Sequence, residues 1–205
     1  MMRTLFHGSR LKSPTTFKTR FITTFITTFT ATAMTALITL FFNIMRLKAA
    51  PQDLPCSRFL MLACIGSYLL VGIGVSLLDQ SLGLALLSAS IDTGLLIGLA
   101  YLALWIRNYQ GRAVQTVTAF TGTGTLFELI GWPLVAWLQQ TSGGTTSSLS
   151  LLLLLLIIWN IVVIGHILRH AVEIPMWVGS GVALMYVYTS IRVMVALQIA
   201  GAPAQ

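Results

Sequence analysis

Five long apolar stretches follow one another through the last three quarters of the chain, at about 59–79, 82–106, 114–138, 149–168 and 175–199. Each is long enough to cross a hydrocarbon core of about 30 Å, which takes roughly 20 residues of helix. A backbone in lipid must satisfy its own hydrogen bonds, so such runs fold as helices. Only 8% of the residues are charged and 56% are hydrophobic, whereas a solvated globular surface takes about 25% charge. The chain therefore reads as all-α: a polytopic transmembrane helix bundle with five spans and the lipid bilayer as its first partner. The connections are short, Gln80–Ser81, RNYQGRA, TSGGTTSS and RHAVEI, which sets sequential helices side by side.

Charge placement gives the sidedness. Arg46, Lys48 and Arg58 precede the first span, Arg107 and Arg112 follow the second, and Arg169 ends the fourth. The alternate ends, 79–82, 139–148 and 200–205, carry no Lys or Arg. By the positive-inside rule the residues before the first span are cytoplasmic and the C-terminus is outside, as in a bacterial inner membrane. The net charge of +7 is thus explained without nucleic acid: five of the twelve bases lie in the first twenty residues, and the remaining seven face five acids. The two cysteines, Cys56 and Cys64, suggest neither a disulfide framework nor a metal knuckle.

The N-terminal part is harder to place. Residues 1–33 are basic and threonine-rich, with a repeated FITT unit, and are read as a loosely held extension; Met34 and Met45 are each readable as a start. Residues 21–45 are apolar enough for a sixth hydrophobic helix. However, the basic tail would then lie on the wrong side. An amphipathic interfacial helix at about 34–48 fits better, since Leu37, Leu40, Phe41, Ile44 and Leu47 recur at helical spacing. The domains expected are therefore 1–33, 34–57 with that helix and a linker, and the five-helix domain 58–205.

Two polar clusters stand out. At the end of the fourth span, GHILRHAVEIP places His166, Arg169, His170 and Glu173 at the cytoplasmic interface. Histidines four apart share a helix face and suit a ligand pair, but a haem needs a second pair and the other histidine is His7. Anchoring at the headgroups is the plainer expectation. Within the spans, Asp92, Glu128 and Arg192 are ionisable residues that insertion disfavours by about 3 kcal/mol each, so they are expected to face one another. At 1.5 Å per residue all three lie roughly 10–15 Å from the outer surface. Tyr188, Thr189 and Arg192 share one face of the fifth span, and Thr121, Gly124, Thr125, Glu128, Gly131 and Trp132 one face of the third. Arg192 is the expected counter-ion of one or both acids, with Tyr188 beside it. Gly94 and Gly98 form a small-xxx-small pair, which permits close helix packing.

No hydrolase elbow, zincin, Walker or dinucleotide-binding signature is present, so no catalytic residue, metal or cofactor is assigned and the chain is read as non-enzymatic. The segments PQDLP, QTVTAFTGTGTLFELIGWPL and GHILRHAVEIP, set in a five-span chain, resemble small bacterial membrane proteins grouped with the Yip1 family, over about residues 40–200. The acidic DLY-type motif of that family is absent. The resemblance implies a cytoplasmic N-terminus, five spans and a scaffolding role. A scaffold or accessory subunit with a protein partner in a larger complex is thus the first expectation. A small proton- or ion-coupled carrier using Asp92, Glu128 and Arg192 is the second. A membrane redox subunit with His166 and His170 as ligands is the third.

Overall fold

The structure, a computed structural model, describes residues 34–140 and 146–201. The extension 1–33, with His7 and the FITT repeat, lies outside the described residues, as do 141–145 and 202–205. Helix α1 covers Met34–Met45. It is followed by α2 (Arg58–Ser76), α3 (Leu82–Ile106), α4 (Ala113–Gln140), α5 (Thr146–Val172) and α6 (Met176–Gly201). Single 3-10 turns at Pro51–Asp53 and Gln110–Arg112 precede α2 and α4, and no strand occurs among the described residues. The five longer helices fall on the five apolar stretches within a few residues.

The described residues divide after Thr39 into two separate units. The described part of the first is the opening of α1, where the Thr39 hydroxyl donates to the Thr35 carbonyl at 2.7 Å. In the second, Phe41, Ile44 and Met45 from the end of α1 are buried in the helix core. The expected apolar stripe is real, and at Phe41 and Ile44 it packs into the bundle.

Among the described residues four helices, α2, α3, α5 and α6, are long and apolar enough to cross a membrane. By length and composition they are those of an integral membrane protein. The third expected span, α4, is not among them although it runs for 28 residues. Its threonines and glycines lower its apolarity, and packing explains why they are tolerated: every residue from Thr116 to Thr125 is buried. Helices α2, α3 and α5 pack on α4, and α6 packs on α5 and α3.

A threonine-rich helix in such a core has hydroxyls to satisfy. The hydroxyls of Thr116, Thr118, Thr121, Thr123 and Thr125 each donate to the carbonyl four residues back, at 2.6–2.9 Å. This back-bonding keeps the polar groups inside the helix's own turn. Glycines set the closest approaches. A Cβ at Gly165 would lie 2.8 Å from the Ser180 backbone nitrogen, and one at Gly179 would lie 2.6 Å from the Gly165 carbonyl oxygen. Helices α5 and α6 therefore meet backbone to backbone. Gly94 and Gly98, the expected small-residue pair, are exposed, and a Cβ at either would meet nothing within 4 Å. The close crossing is α5 on α6 instead.

Candidate functional site

The interior cluster is built on α2, α3, α4 and α6. Asp92 of α3 accepts hydrogen bonds from three hydroxyls: Tyr68 on Oδ2 at 2.5 Å, and Tyr186 and Ser190 on Oδ1 at 3.1 and 2.5 Å. Three donors from two other helices fill most of the roughly four acceptor sites of a carboxylate. Tyr186 and Ser190 lie one turn apart on α6, so one face of that helix supplies both. Tyr68 reaches in because Gly124 carries no side chain: a Cβ there would lie 2.7 Å from the tyrosine ring.

Glu128 of α4 is in a different state. Its Oε2 is buried and has no hydrogen-bond partner among the described residues. Its Oε1 lies where a Cβ on Gly72 would come within 3.1 Å. Asp92 and Glu128 line one cavity of about 300 Å³, together with Asp79, Gln80 and Ser190. Its lining holds three carboxylates and, among the described residues, no Lys or Arg. On its other side Glu128 joins a second cavity of about 220 Å³, bounded by Tyr68, Phe127, Leu156, Asn160 and Val187. Glu128 is the one residue common to both walls.

Asp92 and Glu128 thus line one cavity, but Arg192 and Tyr188 do not join them. Both are exposed on the outer face of α6, with the Arg192 guanidinium 5.9 Å from the Tyr188 ring centroid. The expected inward face was wrong by about half a turn. Residues 186 and 188 differ by roughly 200° around a helix of 3.6 residues per turn, and the inward positions are Ala183, Tyr186 and Ser190. Hydroxyls, not a guanidinium, compensate Asp92. Tyr186 and Ser190 had a legible signal in their i, i+4 spacing; Tyr68, alone in α2, had none.

The second cluster gathers every base-bearing connection at one end. His166 is buried and its Nε2–H donates to the Ala49 carbonyl at 3.0 Å. Gln52 donates to the His170 carbonyl at 2.7 Å, and Gln115 donates to the carbonyls of Gln52 and Leu54 at 3.1 and 2.8 Å. The PQDLP segment is thereby tied to α5 and α4. The last carbonyls of α5 have no intrahelical donor, and arginines cap them: Arg107 donates to Val172 at 3.2 Å, and Arg112 to Ala171 at 3.2 Å. Cations at a helix C-terminus also suit its dipole.

Glu173 ends α5 in the left-handed region, φ 55°, which turns its side chain onto Tyr109 at 2.9 Å and Arg112 at 3.0 Å. The Tyr109 hydroxyl, and after it Arg112, hold its carboxyl below the usual carboxylate range. Arg169 is exposed and His170 half-buried, its ring 4.5 Å from that of His166 and edge-on. The four residues expected at this interface do gather at one end. The ligand reading loses support, because His166 is committed to Ala49 and Glu173 to Tyr109 and Arg112. Among the described residues no three His, Cys, Asp or Glu side chains converge as a metal site.

No family model, curated protein or solved structure matches the chain.

Proposed function

We propose that this protein is a small proton-coupled carrier of a membrane, with Glu128 as the group that takes up and releases the proton. The observation that carries the reading is the unpartnered, buried Oε2 of Glu128 in a cavity shared with an Asp92 that accepts from three hydroxyls. Asp92 and Glu128, lining one cavity within the helix bundle, repel each other as anions, so one of them holds a proton. Asp92 has the donors an anion needs; Glu128 lacks them and suits a neutral acid. Asp79 and Gln80, on the turn between α2 and α3, line the same polar cavity and offer the proton a hydrated route.

The topology is part of the proposal. Helix α4 starts at the end where the basic connections gather and runs for 28 residues, about 42 Å at 1.5 Å per residue. That length suits a fifth, central span whose polar residues are shielded by α2, α3 and α5. The base-rich end is then cytoplasmic and the C-terminus outside, in a bacterial inner membrane, the arrangement the Yip1 resemblance implies. A scaffold or accessory subunit has no use for an unpartnered carboxylate at its centre, so the geometry favours the carrier.

Infrared difference spectroscopy between acid and alkaline pH, on the full chain in lipid, tests the role of Glu128. A protonated-carboxyl band should be present and vanish in Glu128→Gln. A band unchanged by that substitution removes the carrier reading and leaves the scaffold.

A further inference from the structure

The cavity of about 220 Å³ behind Glu128 is separate from the polar one and chemically unlike it. Its walls come from α2, α4, α5 and α6 and are mostly hydrocarbon: Phe127, Leu156 and Val187, with the ring of Tyr68. Glu128 and Asn160 are its polar side chains besides Tyr68, whose hydroxyl is given to Asp92, and no base lines it among the described residues. Ile157, on the wall, is 39% exposed on α5, so an occupant in the bilayer reaches the cavity without crossing water.

We infer that this cavity binds a small lipophilic amine in its cationic form, with the ammonium on Glu128 and the hydrocarbon against Tyr68, Phe127, Leu156 and Val187. The inference rests on the proposed proton-carrying role of Glu128 and names what that proton is exchanged for. Other classes fit less well. An anion meets a carboxylate and no base. A sugar meets too few hydrogen-bonding groups. A hard metal cation takes about six oxygen ligands, and the lining offers three polar side chains, one of them the Tyr68 hydroxyl already given to Asp92. An ammonium is matched on every side: a carboxylate for its charge, an amide oxygen for an N–H, and aromatic rings that attract cations. A cavity of roughly 150 Å³ holds benzene, so this one has room for one ring and a short cationic arm.

The exchange balances. A neutral Glu128 carboxylic acid and an incoming ammonium give an ammonium–carboxylate ion pair and one proton. That proton leaves through the polar cavity toward Asp79. No covalent bond other than the O–H is broken, and one positive charge enters for each that leaves.

The test uses the full chain in mild detergent with a pH-indicator dye and almost no buffer. Benzyltrimethylammonium, which has no proton of its own to lose, should acidify the sample saturably toward one proton per chain. Benzylammonium should do the same, and neutral benzyl alcohol should not. Asn160→Ala should weaken the benzylammonium response by about tenfold, the loss of one hydrogen bond to a charged group, and leave the benzyltrimethylammonium response unchanged, since that cation has no N–H. Leu156→Trp fills the cavity from the apolar side, so it should abolish the response while Glu128 still titrates in the infrared. Titration of Glu128 without any cation-induced proton release overturns the amine inference and leaves the proton-carrying role intact. An equal response to benzyl alcohol overturns it also, as mere filling of an apolar hole. Saturable binding of radiolabelled benzyltrimethylammonium with no proton release, in a protein whose Glu128 shows no titration in the infrared, overturns the exchange and the proton-carrying role together.

Discussion

The ring of Tyr68 lies against Gly124, where a Cβ would come within 2.7 Å of its Cε2, and this contact aims the tyrosine hydroxyl at Asp92. Gly124→Val should push the ring aside and destabilise the fold by about 1–3 kcal/mol, the usual overpacking range. Tyr68→Phe keeps the ring and removes the donor, at about 1.5–3 kcal/mol for a hydrogen bond to a charged group. In a Tyr68→Leu background Gly124→Val should cost distinctly less, because the clashing ring is gone. Thermal unfolding of the four proteins in one detergent measures the coupling. Additive losses would show that the two residues do not act on each other.

How much of this was legible beforehand depends on what fixed each feature. Helix positions follow from apolar length, and α2 to α6 fall on the runs read from the sequence. The gathering of the basic connections at one end follows from alternating charge. Rotation of a helix about its axis is another matter. Helix α6 is apolar all round, so Tyr188 and Tyr186 look alike as inward residues, and only packing against Asp92 selects Tyr186 and Ser190. Close approach is similarly hidden: Gly94–Gly98 and Gly165–Gly179 are all small residues, but one pair faces open space and the other a neighbouring backbone. Capping of α5 by Arg107 and Arg112 joins residues about sixty positions apart, beyond any local spacing rule.

Arg192 is exposed on α6 with the Tyr188 ring beneath it, so its loss leaves no acid stranded. Arg192→Leu should leave the fold at least as stable as the parent, because an apolar side chain replaces a cation that the membrane disfavours. Removing one partner of a buried pair would instead cost about 3–5 kcal/mol. Urea or thermal unfolding distinguishes these outcomes readily. A loss in the larger range would place the guanidinium against Asp92 or Glu128 after all.

Gly165 and Gly179 bring α5 and α6 into backbone contact, and backbone atoms cannot rotate away from an added methyl group. Gly165→Ala should therefore separate the helices and lower stability by about 1–3 kcal/mol. It should also loosen the hold of the neighbouring His166 on Ala49, seen as faster hydrogen exchange over residues 46–57. Gly94→Ala and Gly98→Ala are the controls. With nothing near the new methyl, they should be neutral or gain up to about 1 kcal/mol of helix propensity. Equal losses in all three variants would mean that α3, too, is closely covered.

Glu173 makes the basic end sensitive to acid. Its carboxyl is held below the ordinary value of 4.5 by the Tyr109 hydroxyl first and by Arg112 second. A carboxylate whose pKa is lowered by folding stabilises the fold at every pH above its ordinary value. That contribution falls away as the pH drops through the ordinary value toward the lowered one, and is gone once the carboxyl is protonated in the folded chain. The turn at Glu173 should therefore stay docked on Tyr109 and Arg112 at neutral pH and come loose as the pH falls from the carboxyl's ordinary value of 4.5 through the lowered one. Hydrogen exchange of residues 107–112 and 171–176, compared at neutral and acid pH, reports it directly. Glu173→Gln should exchange at neutral pH as the parent does in acid, and should lose the pH dependence. Tyr109→Phe removes the larger of the two partners, so the loosening should begin at higher pH than in the parent. Acid loosening that persists unchanged in Glu173→Gln would assign the effect to another group.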